Sequence, residues 1–182
     1  VAPAKSPVRM GEYTAAPWVD QRKGPSGSGY IIQAVDLPGI ASHDQSQLNL
    51  YDRVMVAPPN GAATGRQVYL SYKMGPLIED LGQIIIPTGL IEVAKPANPG
   101  DAAVGRVVKM FGIVEQGQRL IPYDTSAAVA IGHPAPVSGG KSGKVRWIYT
   151  EQVLPSMQDY VVLDISNRDG LKPGDQIELF KP

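Results

Sequence analysis

Short runs of branched and alternating residues recur along this chain, each closed by turn chemistry, and that punctuation limits the fold more than any single motif does. YIIQAVD (30–36), LNLYDRVMVAP (48–58), RQVYLSYKM (66–74), AVGRVVKMFGIVEQ (103–116), QRLIPYD (118–124), KVRWIYTEQVL (144–154), DYVVLDIS (159–166) and QIELFKP (176–182) all read as strands. Alternation at Leu48, Leu50, Val54 and Val56, and again at Val68, Leu70 and Tyr72, predicts one face in a core and one in water. QIIIPTGLIEVAKP (83–96) reads as strand, a turn at Pro87-Thr88-Gly89, then strand. PLIEDLG (76–82) is expected to form a single helical turn. Gly117, Asp169-Gly170 and Pro173-Gly174 are turn signals. The expected fold is all-β: one or two small barrel- or sandwich-like modules with an extended N-terminal strap and very little helix.

The strap is residues 1–29. Pro3, Pro7 and Pro17 argue against a helix across its first part, and GPSGSG (24–29) has the composition of a linker. The remaining divisions expected are a β module over 30–125 and a loop over 126–143. Residues 144–182 then form either a second β module or the closing strands of the first. YDRVMV (51–56) and GDQIELF (174–180) echo one another, as two related modules would. The 20 glycines and 17 prolines, 37 of 182 residues, exceed the usual share of roughly 12% but stay below the roughly 25–30% typical of disorder.

Charge and composition narrow the function. With 17 Lys+Arg against 17 Asp+Glu the net charge is zero, which argues against a chain built to grip a polyanion but leaves room for a local basic patch. There is no cysteine, so disulfides, thiolate nucleophiles and Cys-ligated zinc are excluded. The opening VAPAKSP lacks Met, as expected of an exported chain after removal of its signal peptide. No apolar run approaches the roughly 18 residues of a membrane helix, so no direct membrane insertion is expected.

Four groups of residues invite chemistry, and each has a plainer reading. APVSGGKS (135–142) ends like a phosphate-binding loop at Gly140, Lys141 and Ser142. Its opening glycine falls on Ala135, however, and KVRWIYT follows as strand where a helix dipole is required. NRDG (167–170) resembles part of a calcium loop, but placing Gly170 sixth puts Ile165 first and Gln176 twelfth, so both anchoring ligands are missing. His43 and His133 are the only histidines; His43-Asp44 near Ser42 and Ser46 does not make a triad from adjacency alone. Asp159, Asp164, Asp169 and Asp175 would supply a carboxylate pair for glycoside hydrolysis, though three of them flank turns and sugar-stacking aromatics are few.

Tyr13 and Trp18 stand on the strap. Left in water they are costly, so they either fold back onto their own barrel or anchor a partner. Trp147 falls within a strand pattern and is expected in a core.

YVVLDISNRDGLKPGDQIELF (160–180) resembles the β-rich C-terminal tails of bacterial envelope proteins that carry a LysM peptidoglycan-binding module. YIIQAVDLPGIASHDQSQLNLYDRVMV (30–56) and IIIPTGLIEV (84–93) are similar to earlier parts of the same tail. No LysM module is visible here. The resemblance implies an exported, noncatalytic β domain without a cofactor, catalytic residues or a metal. It also implies recruitment as a periplasmic accessory subunit of a bacterial membrane complex, a photosynthetic reaction centre–light-harvesting complex being one such host. In that role Tyr13 and Trp18 are the expected partner-binding residues and other protein subunits the expected partners. The alternatives are a cell-wall glycan-binding module, with peptidoglycan as ligand, and a glycan hydrolase using an Asp pair.

Overall fold

The computed structural model describes residues 9–35, 46–125, 139–150 and 159–180. The chain divides into two compact units, Pro17–Ser126 on one side and Val1–Ala16 with Ala127–Pro182 on the other. The larger unit contains β1 (Trp18–Asp20), β2 (Gly29–Ala34), β3 (Gln47–Leu48), β4 (Arg53–Ala57), β5 (Val68–Ile78), β6 (Gly82–Lys95), β7 (Ala103–Met110), β8 (Val114–Glu115) and β9 (Arg119–Tyr123). The smaller contains a helix, α1 (Met10–Ala15), and a two-stranded sheet of β10 (Val145–Ile148) and β11 (Val161–Leu163). The all-β expectation holds.

Six strands of the larger unit close into an antiparallel barrel in the order β6-β5-β9-β2-β4-β7, with β7 returning to β6. Closure removes the open edges that invite aggregation. The interior is filled by Ile31, Val54, Val56, Tyr69, Ile91, Val93, Ala103, Val107 and Leu120, with Leu48, Ala63 and Val114 completing the cluster. Tyr69, fully buried, donates its hydroxyl to Gln67 Oε1 at 3.0 Å, so the one large polar group in this core is satisfied.

β6 departs most from expectation. Pro87-Thr88-Gly89 does not turn the chain; β6 runs through it as one strand of 14 residues. The register with β5 shifts between Ser71↔Gly89 and Tyr72↔Pro87, leaving Thr88 as the extra residue of a bulge. Proline is tolerated because the other edge of β6 is unpaired at that point: β1 pairs with residues 83–85 and β7 with residues 89–95. The neighbouring glycine is required by packing. A Cβ on Gly89 would lie 2.6 Å from the Lys109 carbonyl oxygen and 2.9 Å from Val114 Cγ2.

PLIEDLG is likewise not a helical turn. β5 continues to Ile78 and pairs Leu77↔Gln83 and Ile78↔Gly82, and the Leu81 N–H closes the hairpin on the Ile78 carbonyl at 3.1 Å. Pro76 is accommodated because β9 pairs with β5 only as far as Tyr72.

The faces of β5 also differ from the alternation. Tyr69 belongs to the barrel core, while Leu70 and Tyr72 are buried on the opposite face. The strap supplies part of that outer cover: the Trp18 ring lies 6.3 Å from that of Tyr72, and Ser28 Oγ bonds the Tyr72 hydroxyl at 2.7 Å. Leu50 leaves the alternating pattern and is 43% exposed, because Asn49–Asp52 is a turn in which the Asn49 N–H reaches Asp52 Oδ2 at 2.7 Å.

The strap is not one extended element. α1 fits between Pro7 and Pro17, with the Arg9 N–H bonded to Glu12 Oε2 at 3.0 Å as it starts. Trp18–Asp20 then joins the sheet as β1. Residues 24–29 end where β2 begins. β10 and β11 pair with each other and take no part in closing the barrel. Residues 176–180 form no strand, so the echo with 51–56, of which residues 53–56 belong to β4, is not structural.

Gly89→Ala is expected to destabilise the barrel by about 2 kcal/mol through overpacking against backbone. Gly65→Ala, with open space around its Cβ, should leave stability unchanged or slightly raised. Urea unfolding followed by tryptophan fluorescence measures both.

Candidate functional site

The barrel lumen is packed by side chains, and two surfaces stand out among the described residues. The first is on the larger unit. Residues 24–29, which read as a linker, instead form one wall of an open crevice of about 450 Å³. Its lining is Pro25, residues 27–30, Gly117 and Arg119. Leu120 faces the core, so Arg119 projects outward; it is directly opposite Tyr30 on β2 and Tyr72 on β5. Its guanidinium donates to the Lys23 carbonyl at 3.4 Å. Tyr30, 51% exposed, forms a second side-chain wall.

The second surface belongs to the smaller unit. Of nineteen buried apolar residues among those described, eighteen lie in the larger unit and only Val162 in the smaller. Three aromatic rings of that unit meet edge to face: Trp147 with Tyr149 at 5.9 Å and Tyr149 with Tyr160 at 6.1 Å. The Tyr160 hydroxyl donates to the Glu12 carbonyl at 3.2 Å, which ties α1 to this sheet. Trp147 is thus half-buried in an aromatic row and not enclosed in a core. Ile177, Leu179 and Phe180 are 47%, 51% and 74% exposed.

The two residues expected to bind a partner are not brought together. Tyr13 is on α1 in the smaller unit, 44% exposed. Trp18 is on β1 in the larger, half-buried against Tyr72, with its indole N–H directed to Asp20 Oδ2 at 3.4 Å.

Several of the described residues that invited chemistry have other occupations. Gly139 turns at φ 76°, no helix follows Ser142, and Lys141 Nζ pairs with Asp169 Oδ1 at 3.4 Å; residues 135–138 lie outside the described residues. NRDG forms a single 3₁₀ turn. Asp169 accepts the Ser166 N–H at 3.0 Å, and Gly170 takes the left-handed conformation at φ 99°. The Ser166 N–H, followed by Lys141, holds the Asp169 carboxyl below its usual range. Asp164 Oδ1 accepts the Lys144 N–H at 2.6 Å, and Asp175 accepts that of Lys172 at 2.8 Å. Three of the four clustered carboxylates therefore brace turns and strand ends. His43, His133, Ser42 and Asp44 lie outside the described residues. Among the described residues no three His, Asp or Glu side chains cluster as a metal would need. Among them, too, no helix is long and apolar enough to cross a membrane.

One buried polar network remains. Thr88, placed by the bulge, donates to Gln118 Oε1 at 2.6 Å and shares a hydrogen bond with Ser71 Oγ at 2.9 Å, and Gln118 Nε2 donates to the Ile113 carbonyl at 2.9 Å. Every member has a partner, as a structural network requires.

Sequence reasoning missed the crevice. Nothing in the order of residues links Gly27 or Tyr30 to Arg119; only the antiparallel register of β2 and β9 does so. The one local signal was an arginine two residues after a turn glycine, on the outward phase of a strand whose next residue is buried. No family model, no curated protein and no solved structure matches this chain.

Two outcomes follow. Thr88→Val leaves Gln118 Oε1 without that donor and should cost about 1–3 kcal/mol in denaturant unfolding. Burial, then the Glu12 carboxylate and Tyr149, raise the Tyr160 pKa above 10.0. A folded-state value above the unfolded one means that this contribution is intact below pH 10 and lost as pH rises through the raised value. Absorbance titration at alkaline pH should show a late-ionising tyrosine that disappears in Tyr160→Phe and moves earlier in Glu12→Gln.

Proposed function

We propose that this chain is a noncatalytic accessory subunit that holds other proteins together, with the barrel as a rigid support and the smaller unit as the contact surface. One observation carries this reading. The smaller unit buries almost no apolar side chain of its own among the described residues, yet exposes Met10, Tyr13, Tyr149, Ile177, Leu179 and Phe180. Exposed apolar area of this kind favours a partner, because covering it releases roughly 25 cal/mol per Å². Interfaces draw most of their affinity from a few such aromatic and aliphatic anchors. Tyr13 belongs to this set. Trp18 contributes indirectly by holding β1 on the barrel.

The resemblance to the tails of LysM-type envelope proteins supports a place on the periplasmic side of a bacterial membrane complex. A photosynthetic reaction centre–light-harvesting assembly is the host we propose to examine first. A second reading, a cell-wall glycan-binding module, is favoured by the Trp147–Tyr149–Tyr160 row, in which Tyr149 is exposed and the other two rings half-buried, since sugar rings stack on accessible aromatic faces.

Removing residues 1–29 would delete β1 and the first residue of β2, so point substitutions make the cleaner test. Leu179→Asp/Phe180→Asp should abolish co-migration with the membrane complex after gentle extraction, a loss of affinity of about tenfold or more. The unfolding of the barrel should not change. Wild-type chain that migrates alone, or a doubly substituted chain that still co-migrates, overturns the reading. Retention on isolated cell wall that is lost in Trp147→Ala would favour the glycan module.

A further inference from the structure

We propose that the crevice beside Arg119 binds an acidic peptide segment, with the guanidinium gripping a carboxylate. This surface is on the larger unit and does not depend on the proposed role of the smaller one.

Arg119 is a charge without a counter-charge among the described residues. Arg119 forms no ion pair with a described residue, and neither do Arg22 and Lys23 in the loop that Arg119 touches. The nearest acid in that loop, Asp20, is already engaged by the Gln21 N–H at 2.7 Å and the Trp18 indole. Three cations with no acidic partner among the described residues, on a chain of zero net charge, make a local basic surface that overall composition conceals.

Arg119 is also held in place. One of its N–H groups is directed to the Lys23 carbonyl, and the cross-strand positions on either side are Tyr30 and Tyr72. A guanidinium has five donors in a fixed fork, so the remaining donors suit the two oxygens of a carboxylate. Because the bond to Lys23 already restricts the side chain, less rotamer entropy is lost when a ligand binds.

The rest of the crevice selects a peptide over a phosphate. Phosphate sites converge several free backbone N–H groups on one point. Here the Gly117 N–H is given to the Ile31 carbonyl at 2.8 Å and the Ile31 N–H to the Gln118 carbonyl at 2.9 Å. With the Gly117 N–H already given away on the strand side of the crevice, the Arg119 guanidinium is the charged donor on that wall. Glycines 27, 29 and 117 keep the walls low, the opening is wide, and the exposed Tyr30 ring gives an amphipathic wall along which an extended chain fits.

Fluorescence anisotropy with fluorescein-labelled hexaglutamate, hexalysine and a short single-stranded oligonucleotide tests the proposal on the full chain. Wild type should bind hexaglutamate saturably, should bind neither of the other two, and should weaken as salt rises toward about 0.15 M. Arg119→Leu should lower affinity by about tenfold, and Arg119→Lys, which keeps charge but loses the fork, by several-fold. Arg106→Ala, on β7, should change nothing. If Arg119→Leu does not fold, Arg22→Leu/Lys23→Leu carries the test with an expected several-fold loss. The proposal is overturned if hexaglutamate does not saturate, if Arg119→Leu binds like wild type, if Arg106→Ala weakens binding equally, or if the oligonucleotide binds as well. Leu179→Asp/Phe180→Asp should leave hexaglutamate binding intact, so this inference and the proposed function fail separately.

Discussion

The barrel depends on β6 finding three partners. Along its fourteen residues, one edge is paired with β5 from Gly82 to Glu92, while the other is given first to β1 and then to β7. The β7 pairing closes the ring and leaves no free edge there. The β1 pairing brings the strap to the sheet and places Trp18 over Tyr72. Both rest on the Thr88 bulge, which shifts the register between the two halves of the strand. Without it, residues before and after Pro87 could not both keep their faces. The same bulge aims the Thr88 hydroxyl at Ser71 and Gln118. Closure, strap docking and the buried polar network thus share one local irregularity.

That irregularity also explains where the sequence misleads. Proline, threonine and glycine in a row carry strong turn chemistry, and turn chemistry is normally decisive between strands. Here tertiary pairing overrides it, because the proline falls where β6 has no second neighbour and the glycine where a side chain would strike the Lys109 carbonyl. Composition says nothing of either circumstance. The alternation in β5 misleads for a related reason. Once the strap covers the outside of the sheet both faces are apolar, and Tyr69, Leu70, Ser71 and Tyr72 are all buried in succession. By contrast, β4 and β9 lie near their expected positions, since each has one face in the core and a clear turn at its boundary.

The candidate surfaces were less legible than the fold. Aspartates that brace turns are legible in sequence, because the side-chain oxygen and the N–H it accepts are close in the chain. Asp169 and Asp175 each bond an N–H three residues away. The Arg119 crevice joins residues about ninety positions apart, and no periodicity encodes such a meeting. The exposed Ile177 and Leu179 were visible as an alternating run, but alternation alone predicted that one face would be buried. The structure separates the pattern from its usual consequence.

That separation shows why the two surfaces should be understood differently. The larger unit fills its own lumen, and the feature that distinguishes its crevice is the charge of Arg119 held beside the Lys23 carbonyl. The smaller unit is in the opposite position. Val162 is its single buried apolar side chain among the described residues, and the contacts seen among them are edge-to-face rings and local turn bonds. Such contacts are worth about 0.5–1.5 kcal/mol each, and covering the exposed Ile177, Leu179 and Phe180 would add to them. Association at the barrel should therefore be sensitive to salt and to one arginine. Association at the smaller unit, in the role proposed for it, should be apolar and tolerant of salt.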